Sequence, residues 1–346
     1  MRHSRIRGKG LCYYHCVSRV VDRRFIFQET EKEHFVALMR KLEAFHGMRV
    51  VTYCVMSNHF HLLVEEADRE NLPPLDRDTL LKRLSFLYSS HTVRTVREEL
   101  DRAVKSDNAE WEQEIIDRYR KRMGDLSVFM KDLKQRFSQW YNKRNGRRGT
   151  LWEDRYKSVL VEGDPKALMT VAAYIDLNPI RAGIADQVES YRWCGYASAI
   201  AGNRWAREGL RRIWGQSPAI CASEEELTWD TVGAEYRLWL YHEGLQKELA
   251  EPGEVPRRKG FSEEAADAEV ASSGSLSLQA VLRHRVRYFT DGAVFGSADF
   301  VNQVFEQCRE QLSLKRKTGA RRMKDAQWDG MCVLRDLQGD RIGSAD

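Results

Sequence analysis

The sequence predicts an α+β fold in which an antiparallel sheet carries helices on one face. Three features lead to this prediction: short segments in which apolar residues alternate, longer segments in which they recur at helical spacing, and the order of the two kinds along the chain. The chain has 346 residues, of which 42% are hydrophobic and 31% are charged. These values are typical of a globular protein with room for more than one domain.

The first part of the predicted sheet comes from the N-terminal fifth of the chain. Residues 12–20 alternate as a strand, and residues 31–47 place apolar side chains along one face of a helix. Two further segments, 49–56 and 59–66, also have the composition of strands. Because only two residues separate them, we expect these two strands to form a hairpin.

The second part of the fold follows a long polar stretch. Residues 76–145 have a largely helical and highly charged pattern, and residues 155–163 predict a fourth strand. Residues 164–178 predict a helix that has Asp164 as its N-cap and ends before Pro179. The resulting order of strand, helix, hairpin, helices, strand and helix is that of a ferredoxin-like sheet.

The remaining two-fifths of the chain predicts additional units. Residues 203–250 are expected to form a helical extension, and the polar, small-residue stretch 251–277 has the composition of a linker. Residues 278–346 predict a small, mostly helical C-terminal domain with a possible role in DNA binding.

Basic and aromatic residues are concentrated in one stretch of the sequence. Between residues 131 and 157, Lys and Arg far outnumber the acidic residues and alternate with Phe, Trp and Tyr; a second basic run covers 315–324. Such mixtures suit a polyanion, because the cations neutralise phosphates and the aromatic rings stack with bases. A solvated helix face with core aromatics would give the same pattern.

Cysteine usage and hydropathy indicate a cytoplasmic protein. The seven cysteines are odd in number and include no CxxC pair, so we expect reduced thiols rather than a disulfide framework or structural zinc. No apolar run approaches the roughly 18 residues that a membrane helix needs.

Two histidines interrupt the apolar third strand. Side chains alternate along a strand, so His59 and His61 lie on one face and Phe60, Leu62 and Val64 on the other. The histidine Cα atoms are then roughly 6–7 Å apart, close enough for both rings to bind one divalent ion. The alternative is that both are ordinary strand histidines that form hydrogen bonds with neighbouring residues. Five other histidines have no such partner in a metal-binding pattern and are expected to be structural or surface residues: His3, His15, His34, His46 and His91.

The helix predicted at 164–178 offers a partner for the histidines. Thr170, Tyr174 and Asn178 follow one another at intervals of four residues and share a face. If that face meets the histidines, Asn178 can be a third metal ligand and Tyr174 a nucleophile beside a metal-bound phosphate. A tyrosine and an asparagine that simply complete a helix are the alternative.

Cations and aromatics near these residues are candidates for contacts with DNA. Five residues lie on or beside the strands that flank the predicted site: Arg19, Arg155 and Lys157 for phosphates, and Trp152 and Tyr156 for stacking with bases. Surface ion pairs or core packing would explain the same residues without DNA.

Five short motifs occur in the order seen in a known family. They are "YHCVSRV" (14–20), "MSNHFHLLVE" (56–65), "LWEDRYKS" (151–158), "YIDLNPIRAG" (174–183) and "YRWCGYASAIAG" (191–202). Together they resemble the REP-associated tyrosine transposases, which are single-tyrosine HUH transposases, over about residues 10–202. The resemblance implies that residues 1–202 form a catalytic domain of the HUH nuclease type.

The resemblance also implies an activity and a set of roles. In that family the two histidines, here His59 and His61, bind Mg²⁺ or Mn²⁺. The tyrosine, here Tyr174, attacks single-stranded DNA and leaves a 5′-phosphotyrosine and a free 3′-OH. Asn178 stands where relatives carry a polar third ligand, often Gln. The implied partner is a repeat hairpin of DNA, bound by a monomer or a homodimer that associates with the nucleoid.

Two alternative functions stay open at this point. A replication initiator or relaxase would share the nicking chemistry, but it usually comes with a helicase, and the chain has no GxxxxGK[ST] loop. A non-catalytic nucleic-acid-binding protein could use the same basic surface. In that case Tyr174 would be dispensable.

Overall fold

The computed structural model describes residues 5–68, 72–214, 228–241, 288–312, 317–323 and 328–335. Within them, seven strands form one sheet in the order β2-β3-β1-β4-β5-β7-β6. The strands are β1 (Cys12–Arg19), β2 (Arg49–Val55), β3 (His59–Glu66), β4 (Lys157–Val161), β5 (Gly292–Ser297), β6 (Arg321–Arg322) and β7 (Met331–Arg335). All neighbours are antiparallel except β4 and β5. The predicted α+β class is confirmed.

Helices surround this sheet. In the described residues they are α1 (Glu29–His46), α2 (Arg77–Leu87), α3 (Ser90–Lys105), α4 (Ala109–Arg120), α5 (Leu126–Arg144), α6 (Pro165–Asp176), α7 (Asn178–Arg181), α8 (Gly195–Ile200), α9 (Arg204–Trp214), α10 (Trp229–Tyr241), α11 (Tyr288–Asp291) and α12 (Ala298–Gln307). The stretch 76–145 is therefore helical as predicted, and α9 and α10 lie within the predicted helical extension.

Both faces of the sheet are covered, which differs from the predicted single helical face. On one face, Phe60, Leu62 and Val64 pack against apolar residues of α1 and α5. On the other, Tyr13 and Leu63 pack against residues of α6 and the helices that follow it. The second layer accounts for the burial of nearly every residue of β1 and β3.

The α2–α4 segment forms a separate small core. Leu80, Leu84, Leu100 and Ile115 are fully buried in a cluster that also contains Phe45 of α1. Charged residues cover the outer faces of these helices, which explains why the segment looks polar in sequence. The cluster attaches the helical insertion to α1, away from the sheet face that carries the histidines.

The helix α6 begins as predicted and ends differently. The Asp164 carboxylate accepts hydrogen bonds from the backbone N–H groups of Lys166 and Ala167 at 2.9 and 3.3 Å. The helix stops at Asp176, and a short helix, α7, follows after one residue. Pro179 lies in the first turn of α7, where its missing N–H costs no hydrogen bond, so it begins a helix rather than ending one.

The C-terminal region extends the sheet instead of forming the predicted small helical domain. β5 pairs in parallel with β4, and β7 then pairs with β5. α12 is the longer of the two α-helices described in this region, and Ser297 caps it by accepting from the N–H of Phe300 at 3.2 Å. The predicted linker 251–277 lies outside the described residues.

Two further expectations concern thiols and membranes. The six cysteines in the described ranges are all buried and form no disulfide. Among the same residues, no helix has the length and apolar character needed to cross a bilayer.

Candidate active site

His59 and His61 lie on the sheet face that α6 covers. Their ring centroids are 5.1 Å apart, with the ring planes at 74°. His61 is buried, with 3% of its surface exposed, whereas His59 is half-buried at the end of the hairpin. The pair therefore extends from the interior toward solvent, as a site that must admit a polymer requires.

A third histidine, His15 of β1, joins them. Its Nε2 lies 2.9 Å from Nδ1 of His61, and the two rings stack with centroids 5.1 Å apart. Its Nδ1 donates a hydrogen bond to the backbone carbonyl of Phe289 at 2.8 Å. The sequence prediction treated His15 as a structural or surface residue. The signal that could have found it is its place on β1, whose alternation puts His15 on the same face as His61 once the two strands pair.

Burial keeps the inner histidines neutral. Removal from water lowers the pKa of His15 to about 4. The pKa of His61 lies well below its usual value, first because of burial and then because the neighbouring basic groups, His59, His15, Arg181 and Arg19, disfavour a positive charge on its ring. Neutral imidazole is the form that binds a metal ion, so both rings have the protonation state that a metal site needs near pH 7.

Tyr174 meets the histidines from the opposite side. It projects from α6, is 2% exposed, and presents its ring edge-on to His61 and His15 at centroid distances of 6.1 and 6.0 Å. The Phe289 ring packs against the Tyr174 ring, with 4.7 Å between the ring centroids. The structure thus brings together two segments more than 100 residues apart in the chain, as the sequence prediction required.

Arg181 adds a cation that sequence reasoning missed. The guanidinium carbon lies 4.1 Å from the centroid of the Tyr174 ring, and the group donates a hydrogen bond to the Tyr174 carbonyl. Burial lowers the pKa of Arg181 to about 10, which still leaves it charged at neutral pH. The available signal was its position in "YIDLNPIRAG", seven residues after Tyr174. The contact between the two side chains could not be predicted, because it depends on the break between α6 and α7.

Asn178 is buried beside Tyr174. Its Nδ2 donates to the carbonyls of Tyr174 and Ile175 at 3.3 and 3.0 Å. These bonds fix the amide and leave Oδ1 as the atom that can ligate a cation. Thr170, on the same helix face, donates instead to the carbonyl of Lys166 at 2.7 Å and takes no part in the site.

The donor set can be tested against a divalent metal. Among the residues that the structure describes, no three His, Cys, Asp or Glu side chains form a metal-binding group. The candidate ligands are the imidazoles of His59 and His61, which lie side by side, and the amide oxygen of Asn178, at the start of the helix that follows Tyr174. Two imidazole nitrogens and an amide oxygen can bind a divalent ion such as Mn²⁺ while phosphate oxygens and water, the oxygen ligands that a hard ion prefers, fill its further positions.

Two of the predicted DNA contacts lie on the histidine face. Arg19 is directly opposite His59 in the β1–β3 register, and Lys157 of β4 is opposite Val17, which is itself opposite His61. Directly opposed residues point to the same face of a sheet. Arg155 is exposed two residues before β4 begins. Arg19 and Lys157 therefore lie on the sheet face that carries the histidines, and Arg155 lies in the segment that leads into β4.

The two predicted stacking residues lie on the other face. Trp152 is buried among Phe27, Phe60 and Phe137, and its indole N–H donates to Ser138 Oγ at 2.8 Å. Tyr156 packs in the same cluster. Its hydroxyl bonds Ser127 Oγ at 3.3 Å, and burial raises its pKa to about 12. Both residues are part of the core rather than free platforms for bases.

A buried carboxylate anchors the helix that carries Tyr174. Asp176 accepts hydrogen bonds from the hydroxyls of Thr52 and Tyr236 and from the backbone N–H of Tyr196. Desolvation raises its pKa to about 6, although these hydrogen bonds oppose the shift. One side chain thereby ties α6 to β2, α8 and α10.

Comparison with known proteins adds independent information. Residues 9–114 match the family model described as "Transposase IS200 like". This segment is similar to IS200-like transposases. It contains His15, His59 and His61 and ends before Tyr174. The match confirms the resemblance read from the motifs and supports a transposase.

A solved structure also resembles the chain. It is a REP-associated tyrosine transposase bound to a REP hairpin, 14% identical in sequence, with a TM-score of 0.37. The similarity covers 58% of this chain and 86% of that one. No curated protein matches the chain.

Proposed function

We propose that the protein is a metal-dependent single-strand DNA endonuclease and strand transferase, a transposase that acts on repeat hairpins through a 5′-phosphotyrosine. The observation that carries the proposal is the position of Tyr174, edge-on to His15 and His61 on the sheet face that also holds His59. A nucleophile next to candidate metal ligands is the arrangement that phosphoryl transfer requires. The family match of the histidine-bearing segment supports the same reaction class.

His59 and His61, with Oδ1 of Asn178, would hold Mg²⁺ or Mn²⁺. The bound ion would supply Lewis acidity to a phosphate oxygen without losing charge to anionic ligands. The neutral state of His61 at pH 7, which follows from its lowered pKa, supports this role. Arg19 and Lys157, on the same face, and the nearby exposed Arg155 would hold the flanking DNA phosphates.

The Tyr174 hydroxyl would attack the scissile phosphorus. One P–O bond forms to the phenolic oxygen as the bond to the 3′ oxygen of the preceding nucleotide breaks. The phenol proton is released to solvent, and the departing 3′ oxygen takes up a proton from solvent to become the free 3′-OH. The Arg181 guanidinium, over the ring at 4.1 Å, would stabilise negative charge on the phenol oxygen and the phosphate. Attack by a 3′-OH reverses the step, so the bond energy is conserved and no ATP is consumed.

The proposal is tested by looking for a covalent adduct. Purified protein is incubated with labelled single-stranded hairpin DNA from the flanks of its own gene, with Mn²⁺ or with EDTA. Tyr174→Phe removes the attacking oxygen. Tyr141→Phe is the matched control, because Tyr141 lies on α5 and packs against Phe137.

An adduct that needs Mn²⁺, is absent from Tyr174→Phe and persists in Tyr141→Phe would support the transferase. Binding of the hairpin without an adduct in the unaltered protein would favour the non-catalytic nucleic-acid-binding alternative.

A further inference from the structure

A chain of hydrogen bonds leads from the backbone to His61. The Phe289 carbonyl oxygen lies 2.8 Å from Nδ1 of His15, and Nε2 of His15 lies 2.9 Å from Nδ1 of His61. All three residues are buried. Water therefore cannot easily replace any partner, and the proton positions along the chain are determined by the groups themselves.

The carbonyl fixes the first proton. A carbonyl oxygen only accepts, so Nδ1 of His15 must carry a hydrogen. Neutral imidazole carries one proton, which makes Nε2 of His15 an acceptor. Nδ1 of His61 must then be the donor to it. The lone pair of His61 is consequently on Nε2, the remaining ring nitrogen, and among the described residues that nitrogen has no hydrogen bond.

A second, independent pair of contacts gives His59 the same tautomer as His61. Nδ2 of Asn58 donates to the Arg23 carbonyl at 3.0 Å, which turns the amide oxygen toward His59. That oxygen lies 2.7 Å from Nδ1 of His59. An amide oxygen only accepts, so Nδ1 of His59 is protonated and the neutral ring has its lone pair on Nε2.

We propose that His15 and Asn58 are positioning residues that fix both histidines as Nε2 ligands before any metal binds. The proposal rests on the proposed function, because it assigns these residues to that metal site. Hydrogen bonds of this kind to ligating histidines set their tautomer and ring orientation, and their loss typically costs about 10–100-fold in metal affinity. Here they also connect the site to Phe289, which lies beyond the segment matched by the family model.

The tautomers can be measured without metal or DNA. In a long-range ¹H–¹⁵N correlation spectrum of the histidine-labelled full chain near pH 7, each tautomer gives a distinct pattern of nitrogen shifts. We expect Nδ1 protonated and Nε2 unprotonated for both His59 and His61. The opposite tautomer, or a mixture in exchange, at His61 would overturn the proposal.

Variants of His15 test the consequence for metal binding. His15→Leu removes the acceptor for His61, whereas His15→Gln can place an amide oxygen where Nε2 stood. We expect Mn²⁺ affinity, measured by titration with EPR detection, to fall 10–100-fold in His15→Leu and only a few-fold in His15→Gln. His34→Leu is the matched control, because His34 stacks on Trp140 of α5. Thermal unfolding verifies that each variant is folded.

The same reasoning applies to Asn58. Asn58→Asp keeps an oxygen that accepts from Nδ1 of His59, while Asn58→Leu removes it. We expect a larger loss of Mn²⁺ affinity in Asn58→Leu. Equal affinity in the His15 and Asn58 leucine variants and the unaltered protein would refute the positioning role. If the unaltered protein bound no Mn²⁺, the proposed metal function would fail, and the spectrum would still decide the tautomers separately.

Discussion

At the scale of single residues, Tyr174 is held between two kinds of partner. Histidine rings approach its edge, and the Arg181 guanidinium lies over its face. A phenol has an ordinary pKa of about 10 and is a weak nucleophile while protonated, so charge stabilisation near its oxygen is required for reaction near pH 7. The guanidinium carbon of Arg181 lies 4.1 Å from the centroid of the Tyr174 ring.

Replacing Arg181 should therefore slow cleavage. We expect the single-turnover rate of adduct formation to fall about 10²–10³-fold in Arg181→Ala, the range typical of a lost charge-stabilising donor. Arg181→Lys should retain part of the rate, because it keeps the charge but not the planar stacking. Arg192→Ala, at an exposed arginine that pairs with Glu33, should react normally. A normal rate in Arg181→Ala would exclude the proposed role.

At the scale of elements, the position of α6 depends on Asp176. Its folded-state pKa of about 6 lies above the value of about 3.9 expected in the unfolded chain. Between these values the folded state binds more protons than the unfolded state. The contribution of Asp176 to stability is then fully present below about pH 4 and is lost as the pH rises toward 6.

This predicts a difference between the protein and its Asp176→Asn variant. The free energy of unfolding of the unaltered protein, relative to that of the variant, should fall by about 2–3 kcal/mol between pH 4 and pH 7, since one pKa unit corresponds to about 1.4 kcal/mol. Urea denaturation at several pH values measures it. Parallel stability curves would show that Asp176 does not titrate in this window.

The elements themselves were largely predictable because their signals are local. Strand alternation, the two-residue hairpin turn and the cap at Asp164 each depend on a few neighbouring residues. Alternation along a strand also predicts which side chains share a face of the sheet. His59 and His61 lie on one face of β3, as predicted. Trp152 and Tyr156 were misassigned because a basic neighbourhood was taken as evidence of exposure, although Tyr156 is adjacent to Lys157 and so points to the opposite face.

Contacts between residues far apart in the chain could not be predicted from local sequence patterns. His15 enters the site only through the pairing of β1 with β3, and Arg181 only through the break between α6 and α7. The C-terminal strands escaped prediction because β5 is a short run with a glycine at its start and another near its end, and its partner β4 lies more than 100 residues away. Each of these features is set by tertiary structure.

At the scale of the whole molecule, the C-terminal region supports the site. The Phe289 ring packs on Tyr174 at 4.7 Å, and its backbone carbonyl anchors His15. The strand that follows, β5, joins the sheet beside β4. The sheet face that carries the histidines and Tyr174 is therefore completed by residues far beyond the segment that matches the transposase family model.

Truncating the Phe289 side chain should separate the packing of its ring on Tyr174 from the hydrogen bond that its backbone carbonyl accepts from His15. Phe289→Ala removes a fully buried ring, and we expect the free energy of unfolding to fall by about 3–5 kcal/mol, as measured by urea denaturation. Adduct formation should slow because Tyr174 loses a packing partner. The His61 tautomer should persist, because the backbone carbonyl remains. If stability were retained, Phe289 would not be packed against Tyr174 as described.

The most direct test of the account is to identify the residue that carries DNA after cleavage. Protein incubated with Mn²⁺ and a hairpin oligonucleotide is digested with nuclease and protease, and the modified peptide is sequenced by mass spectrometry. We predict a nucleotide joined through a 5′-phosphate to Tyr174. A phosphodiester on another residue, or cleaved DNA without any protein-linked product, would contradict the central claim.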